Sequence, residues 1–201
     1  MTIQDKKNKY TICMDEIKKR VEVVESILDN KVSTPYLITT VELICIQIRK
    51  ILELIALSSL VANKEEYQKV KDNINSAWRT KNILKDLSTI NPNYYPQPIT
   101  LQCWNGDINN TRTQPVETGF LTREELLNIY SICGGLLHAQ NPFAHKKQFE
   151  NILKQVPSWL KKIKKLTNVH VVQLVDESTM FITIINFDYE KDVSVGVYDR
   201  Q

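Results

Sequence analysis

Apolar residues recur at three- and four-residue steps over the first third of the chain, which is the spacing of amphipathic helices. The first run stops before the polar turn at residues 29–31, and its apolar positions are Ile12, Ile17, Val21, Val24, Ile27 and Leu28. A second, more apolar run follows from about Pro35 to Ala62. Because Ser33 and Thr34 can cap a helix whose first turn holds a proline, we predict two long helices joined by a short turn.

A third helical pattern starts near Lys64 and stops before INPNYYPQP, whose three prolines are incompatible with regular helix. Its apolar positions are Tyr67, Val70, Ile74, Ala77, Trp78, Leu84 and Leu87. From about 89 to 121 we predict a loop-rich insertion with a short strand from Ile99 to Trp104. A connection of this length is uncommon unless it serves a function or packs as a unit of its own.

A fourth helix is predicted to start after Thr122, because Thr122 and Glu125 have the spacing of a capping box. Gly134 and Gly135 lie inside this helix, and each costs about 1 kcal/mol relative to alanine. We therefore expect a neighbouring helix to approach the backbone closely at this point.

The end of the chain combines a fifth helix with a change of period. Asn141 and Pro142 predict the start of that helix, which continues to about Ile163. After it, VHVVQLV, MFITIINF and VSVGVYD are rich in β-branched residues and are separated by DEST and DYEKD, so we predict three antiparallel strands. The predicted fold is mainly α: a bundle of about five helices over residues 1–167, and a small antiparallel β-meander over 168–201 that packs on it.

The composition narrows the class of protein without identifying its function. The chain has 201 residues, 42% of them hydrophobic, and a net charge of +3, which is too small to indicate a dedicated nucleic-acid binder. The polar N-terminus and the charged residues within the apolar run predict a cytoplasmic protein without a membrane span. We expect Cys45 and Cys133 to be buried free thiols. No motif indicates a cofactor or a metal site.

Two of the three histidines lie either side of the predicted helix junction, in GGLLHAQNPFAH. The C-terminus of a helix favours a protonated imidazole, at His138, and the N-terminus of the next favours a neutral one, at His145. Two imidazoles in different states can serve as general acid and general base. The alternative is that His138 donates to a carbonyl at the helix end and that His145 is an ordinary surface residue.

The long helix that carries IRKILELIAL, residues 48–57, together with a later histidine-bearing junction, resembles the HEPN superfamily of helical bacterial toxin and defence proteins. Active members carry an arginine, a polar residue that is usually asparagine, three variable residues and a histidine. QNPFAH has this spacing, with Asn141 and His145 at the matching positions and Gln140 in place of the arginine. The resemblance implies metal-independent cleavage of RNA by a homodimer.

The departure from the family pattern concerns the group that holds the scissile phosphate. A neutral amide cannot supply the charge or the bidentate fork of a guanidinium, so we expect another cation to serve. The predicted catalytic residues are His145, His138 and Asn141, and the predicted substrate-binding residues are Gln140, Arg49, Arg123 and Lys146.

Two further surfaces leave alternatives open. Residues 144–168 hold seven lysines and one glutamate, which indicates either a solvated helix face or a face that contacts phosphate. Tyr94, Tyr95 and Trp104 lie on a proline-stiffened loop, where aromatic rings either stack on bases or clamp the loop to the domain.

Two main functional hypotheses result. The first is an HEPN-like bacterial defence or toxin-type protein that acts on RNA. The second is a non-catalytic module that dimerises or binds a protein partner through the Tyr/Trp loop and the sheet edge. A third, binding of a small anionic ligand without turnover, requires a pocket lined by arginine or lysine.

Overall fold

A computed structural model describes residues 1–70, 80–104, 107–139, 143, 148–175 and 178–199. Within these residues the chain forms six helices and five strands. The helices are α1 Ile3–Leu28, α2 Leu37–Ala62, α3 Lys64–Val70, α4 Thr80–Ile90, α5 Arg123–Leu136 and α6 Phe149–Thr167. The strands are β1 Gln97–Trp104, β2 Asp107–Pro115, β3 Val169–Gln173, β4 Thr179–Ile184 and β5 Ser194–Asp199. The predicted fold class, mainly α with a small antiparallel sheet, is confirmed.

Helix α2 lies at the centre of the bundle and contacts α1, α3, α4, α5 and α6. Its apolar residues cover more than one face, and its buried positions include Val41, Ile44, Cys45, Ile48, Ile51, Leu52, Ile55 and Ala56. Each fully buried side chain of this size contributes about 1.5–3 kcal/mol, so α2 supplies much of the core. Among the residues that the structure describes, no helix is long and apolar enough to cross a membrane.

The predicted helix boundaries agree with the structure except at two helix starts and in the third helix. The capping box at α5 is present, since Thr122 Oγ1 accepts from the Glu125 amide (3.2 Å) and the Glu125 carboxylate accepts from the Thr122 amide (3.1 Å). Helix α2 begins at Leu37 rather than at Pro35. The hydroxyl of Thr34 bonds the Thr40 hydroxyl (2.7 Å) instead of capping a backbone amide.

The fifth predicted helix corresponds to α6, which begins at Phe149 rather than at Pro142. Its N-cap is Gln148, and the predicted cap and first residue, Asn141 and Pro142, lie outside the described residues. Phe143 is 98% exposed and so is not part of the buried apolar stripe that defines the helix. The third predicted helix corresponds to α3 and α4, with residues 71–79 between them outside the described part of the chain.

The sheet is larger than the predicted three-stranded meander, with strand order β2-β1-β3-β4-β5. The C-terminal meander forms as expected, and β1 joins it through the pairs Gln97↔Val171 and Pro98↔His170. Strand β1 extends the short strand predicted within the insertion. Its partner β2, DINNTRTQP, was missed because a strand at the edge of a sheet needs little apolar sequence.

A fully buried histidine joins the sheet to the helical bundle. The His170 Nδ1–H donates to the Thr167 carbonyl (2.9 Å), which leaves Nε2 to accept from the Tyr10 hydroxyl (2.7 Å). The ring is therefore neutral, and burial lowers the pKa of His170 to about 4, while the bond to the Thr167 carbonyl opposes that shift. Tyr10 lies in α1 and His170 in β3, so their hydrogen bond joins the helical bundle to the sheet. The bond requires a neutral imidazole, because only then can Nε2 accept from the hydroxyl.

The free energy of unfolding is expected to fall as the pH falls from 6.5 towards about 4, because His170 takes up a proton on unfolding that the folded state excludes. A pKa difference of this size corresponds to a loss of up to about 3 kcal/mol. Urea titrations across this window measure it, and His170→Gln should flatten the dependence. Tyr10→Phe is the control, since it removes a hydrogen bond and leaves the titrating ring; an unchanged pH slope in His170→Gln would contradict the assignment.

Candidate functional site at the junction of α5 and α6

The structure describes part of the predicted site. His138 follows the C-cap of α5, Leu137, and is exposed. Gln140, Asn141, His145 and Lys146 lie outside the described residues, so their arrangement stays a prediction. The described residues around them form the rest of the candidate site.

The two helices that flank the junction are fixed to each other at the far end of α5. The Lys162 ammonium of α6 pairs with the Glu125 carboxylate of α5, and the Leu121 amide donates to the Lys162 carbonyl (3.1 Å). Lys162 is the main reason that the pKa of Glu125 is lowered. These contacts orient α5 so that its C-terminus, with His138 after it, faces the start of α6.

Arg49 on α2 makes one contact within its own helix, with Glu53, and two contacts with Tyr130 of α5. Its Nε donates to Glu53 Oε1 (3.2 Å), its Nη2 donates to the Tyr130 hydroxyl (2.6 Å), and its guanidinium carbon lies 4.2 Å from the centre of the Tyr130 ring. The Tyr130 hydroxyl donates in turn to Glu53 (3.1 Å). About a third of each of the Arg49 and Glu53 side chains is open to solvent. The guanidinium is therefore oriented and accessible, with its charge offset by Glu53.

The close approach predicted at the two glycines occurs at Gly134 only. A Cβ at Gly134 would lie 2.6 Å from Arg49 Nη1, whereas one at Gly135 would meet no atom within 4 Å. The neighbour at Gly134 is a side chain of α2 rather than its backbone. Gly134 lies two residues, about 3 Å along the axis, before Leu136, the last residue of α5, so Arg49 lies close to the end of this helix.

Cys45 and Cys133 lie below Arg49 in the same interface between α2 and α5. Both are free and fully buried, as expected from the sequence. The interaction between the two thiols lowers the pKa of Cys45 and raises that of Cys133. The pair thus packs the interface that positions Arg49.

The structure does not bring Arg123 near His138. Arg123 is the first residue of α5, and the fifteen residues that separate it from His138 span roughly 20 Å of helix. Its guanidinium pairs with Glu124 (3.4 Å) and lies beside the Tyr94 hydroxyl, which is the main cause of the raised pKa of Arg123. Of the two predicted arginines, Arg49 is therefore the one close to the junction.

Two open recesses adjoin the start of α6. The first, about 350 Å³, lies between α5 and α6 and is lined by Ile132, Gly135, Leu136, Gln148, Asn151, Ile152 and Gln155. The second, about 320 Å³, lies between the starts of α2 and α6 and is lined by Leu37, Ile38, Gln148, Phe149, Glu150 and Asn151. Because Gln148 and Asn151 line both, the two recesses form one groove across the N-terminus of α6, which we call the amide groove. Leu136, two residues before His138, lines it.

The lysine-rich face of α6 is partly neutralised by glutamates. Lys162 pairs with Glu125, and Lys164 pairs with Glu25 of α1 (2.7 Å) and lies over the Phe187 ring. These two lysines support the alternative of a structural helix face. Two residues of the aromatic loop clamp it to the domain rather than face solvent. Tyr94 and Tyr95 are buried, and the Tyr95 hydroxyl donates to the Leu121 carbonyl (3.0 Å).

The partners of Arg49 and the amides of the groove were not predicted from the sequence. Glu53 could have been found, since it lies four residues after Arg49 on the same helix face. Tyr130 and Gly134 share one face of α5, but nothing in their spacing says which residue of α2 they meet. Among the described residues, no three His, Cys, Asp or Glu side chains are grouped as metal ligands would be.

Comparison of the chain with models of protein families, with curated proteins and with solved structures gave no match.

The two neighbouring glycines are expected to respond differently to alanine. Gly135→Ala should raise the free energy of unfolding by about 1 kcal/mol, because alanine is the better helix former and meets no neighbour. Gly134→Ala should gain clearly less, because its methyl group displaces the Arg49 guanidinium from Tyr130. Urea denaturation of both variants measures the difference, and Gly134→Ala in an Arg49→Ala background is the control that should restore the gain. Equal gains in the single variants would contradict the contact.

Proposed function

We propose that this protein binds RNA at the α5–α6 junction and cleaves it without a metal ion, as the resemblance to HEPN proteins implies. The observation that carries the proposal is the exposure of His138 just after α5, two residues beyond Leu136 of the amide groove and four residues beyond Gly134, which Arg49 contacts. An imidazole that RNA can reach, next to a surface that can bind RNA, is the minimum that such a reaction requires.

In the proposed reaction His145 is the acid or base, and His138 and Asn141 support it. One imidazole accepts the proton of a ribose 2′-hydroxyl, whose oxygen attacks the adjacent phosphorus while the bond to the 5′-oxygen breaks. The leaving 5′-oxygen then takes up a proton from the protonated partner. No oxidant or metal enters this balance.

The negative charge that develops on the phosphate requires cations. Lys146 is next to His145 in the sequence, and Gln140 contributes an amide. Arg49 reaches this region from α2, but Glu53 offsets its charge, so its contribution is smaller than that of an unpaired guanidinium. The role implied by the resemblance is that of a bacterial defence or toxin-type protein, working in the cytoplasm as a homodimer.

The second candidate is a non-catalytic module that binds a protein partner at the same junction. It is favoured by the engagement of Arg49 with Glu53 and Tyr130 and by large apolar side chains on the surface nearby. Tyr36 and Leu37, at the start of α2, are 57% and 44% exposed, and Phe143 is 98% exposed. Residues of this kind are enriched in protein interfaces.

His145→Ala is expected to slow the cleavage of single-stranded RNA in the presence of EDTA by about 100-fold or more, since a general acid or base contributes a factor of this order. His138→Ala should slow it less. Gel analysis of a mixed-sequence RNA measures the rates, with Lys19→Ala as a control at an exposed position of α1. Circular dichroism checks that each variant is folded. Cleavage by His145→Ala at the wild-type rate, or no cleavage by the wild type, would refute the catalytic proposal and favour the second candidate.

A further inference from the structure

Gly135 is a glycine that the fold does not explain. It lies in the last turn of α5 with a negative φ, so its backbone conformation is open to any residue. A Cβ at this position would meet no atom within 4 Å. Alanine would make the helix more stable by about 1 kcal/mol. Because glycine has no side chain, it leaves space in the recess of about 350 Å³ between α5 and α6.

The lining of that recess indicates the chemistry of a ligand. Three of its lining residues are apolar, Ile132, Leu136 and Ile152, and three carry side-chain amides, Gln148, Asn151 and Gln155. None of these seven lining residues carries a charge, so the recess does not suit a phosphate. Apolar surface next to amide donors and acceptors suits a flat, neutral ring that forms hydrogen bonds at its edge.

The amides are held in place before any ligand arrives. The Asn151 amide nitrogen donates to Gln148 Oε1, and the Gln155 amide nitrogen donates to the Asn151 backbone carbonyl (3.1 Å). Because these residues share the first two turns of α6, their hydrogen bonds line the amides up along the recess. Side chains that are already ordered lose less conformational entropy on binding.

We propose that the recess over Gly135 binds an unpaired nucleobase, which makes single-stranded RNA the substrate. This inference rests on the proposed function and adds to it the part of the RNA that is recognised. The base lies on Ile132 and Ile152, its edge faces the amides of Asn151 and Gln155, and its sugar and phosphate extend towards His138. A base in a duplex has its edge and both faces occupied and is excluded.

Gly135→Leu tests the inference, because it places an isobutyl group in the recess at a position where a Cβ meets no described atom within 4 Å. Fluorescence anisotropy with a labelled single-stranded oligoadenylate, chosen because adenine pairs well with side-chain amides, measures the dissociation constant. We expect Gly135→Leu to raise it about tenfold or more and Gly135→Ala to raise it by a smaller but measurable factor, because the methyl group takes up part of the same space, while thermal unfolding shows Gly135→Ala at least as stable as the wild type and Gly135→Leu folded. The slope of the affinity against salt should stay the same, since the phosphate contacts are untouched.

The outcomes separate this inference from the proposed function. If the wild type binds the oligonucleotide and Gly135→Leu binds it equally well, the recess is not the base site and RNA binding stands. If the wild type binds no RNA, but adenosine shifts the NMR signals of the Asn151 and Gln155 amides and Gly135→Leu abolishes the shift, the recess binds free nucleosides and the RNA function falls. If neither ligand binds, or if duplex RNA competes as well as single strands do, the inference is overturned.

Discussion

The burial of α2 is the constraint on which the rest of the structure depends. This helix contacts the five other helices of the described residues, and its apolar residues face in several directions, so the other helices pack around it. Only a narrow strip of α2 is left to solvent, and Arg49 and Glu53 lie at its border with α5. The site is therefore placed by core packing: Cys45 and Cys133 are buried where α2 meets α5, and Tyr130 of α5 lies against the Arg49 guanidinium in the same interface.

Buried polar contacts fix the sheet to this bundle in one orientation. His170 bonds to Tyr10 of α1, and the nearly buried ammonium of Lys18 donates to the Asp188 carbonyl (2.7 Å) in the connection between β4 and β5. Asn91, after α4, donates to Asn63 after α2 and to the Gln173 carbonyl of β3 (2.9 Å each). Hydrophobic burial alone is non-directional, whereas a buried donor without its acceptor costs about 1–3 kcal/mol, so these bonds select the docking of the sheet.

The elements that the sequence predicts well are those whose signals are local. The capping box at Thr122 and the apolar period of α1 and α2 depend on residues a few positions apart, and both are present. The start of the last helix was predicted at Pro142 because a proline after asparagine resembles a helix start, whereas α6 begins at Phe149 after its N-cap, Gln148. The pairing of β1 with β3 joins residues more than seventy positions apart. No local pattern encodes such a contact.

The same limit applies to the site. The sequence shows that Arg49 is a cation within an apolar helix and that Gly134 and Gly135 lower the stability of α5. It does not show that Gly134 lies against the Arg49 side chain. The packing of α2 against α5 shows that the two glycines have different environments. At Gly134 a side chain would collide with a guanidinium, so packing within the protein accounts for the glycine. At Gly135 no described side chain accounts for the glycine, and the free energy that alanine would add is lost beside an open recess whose described lining residues carry no charge. A glycine that destabilises its own helix, and that no neighbouring residue requires, is best explained by a ligand that occupies the space above it. The side-chain amides at the start of α6 favour a ligand that forms hydrogen bonds.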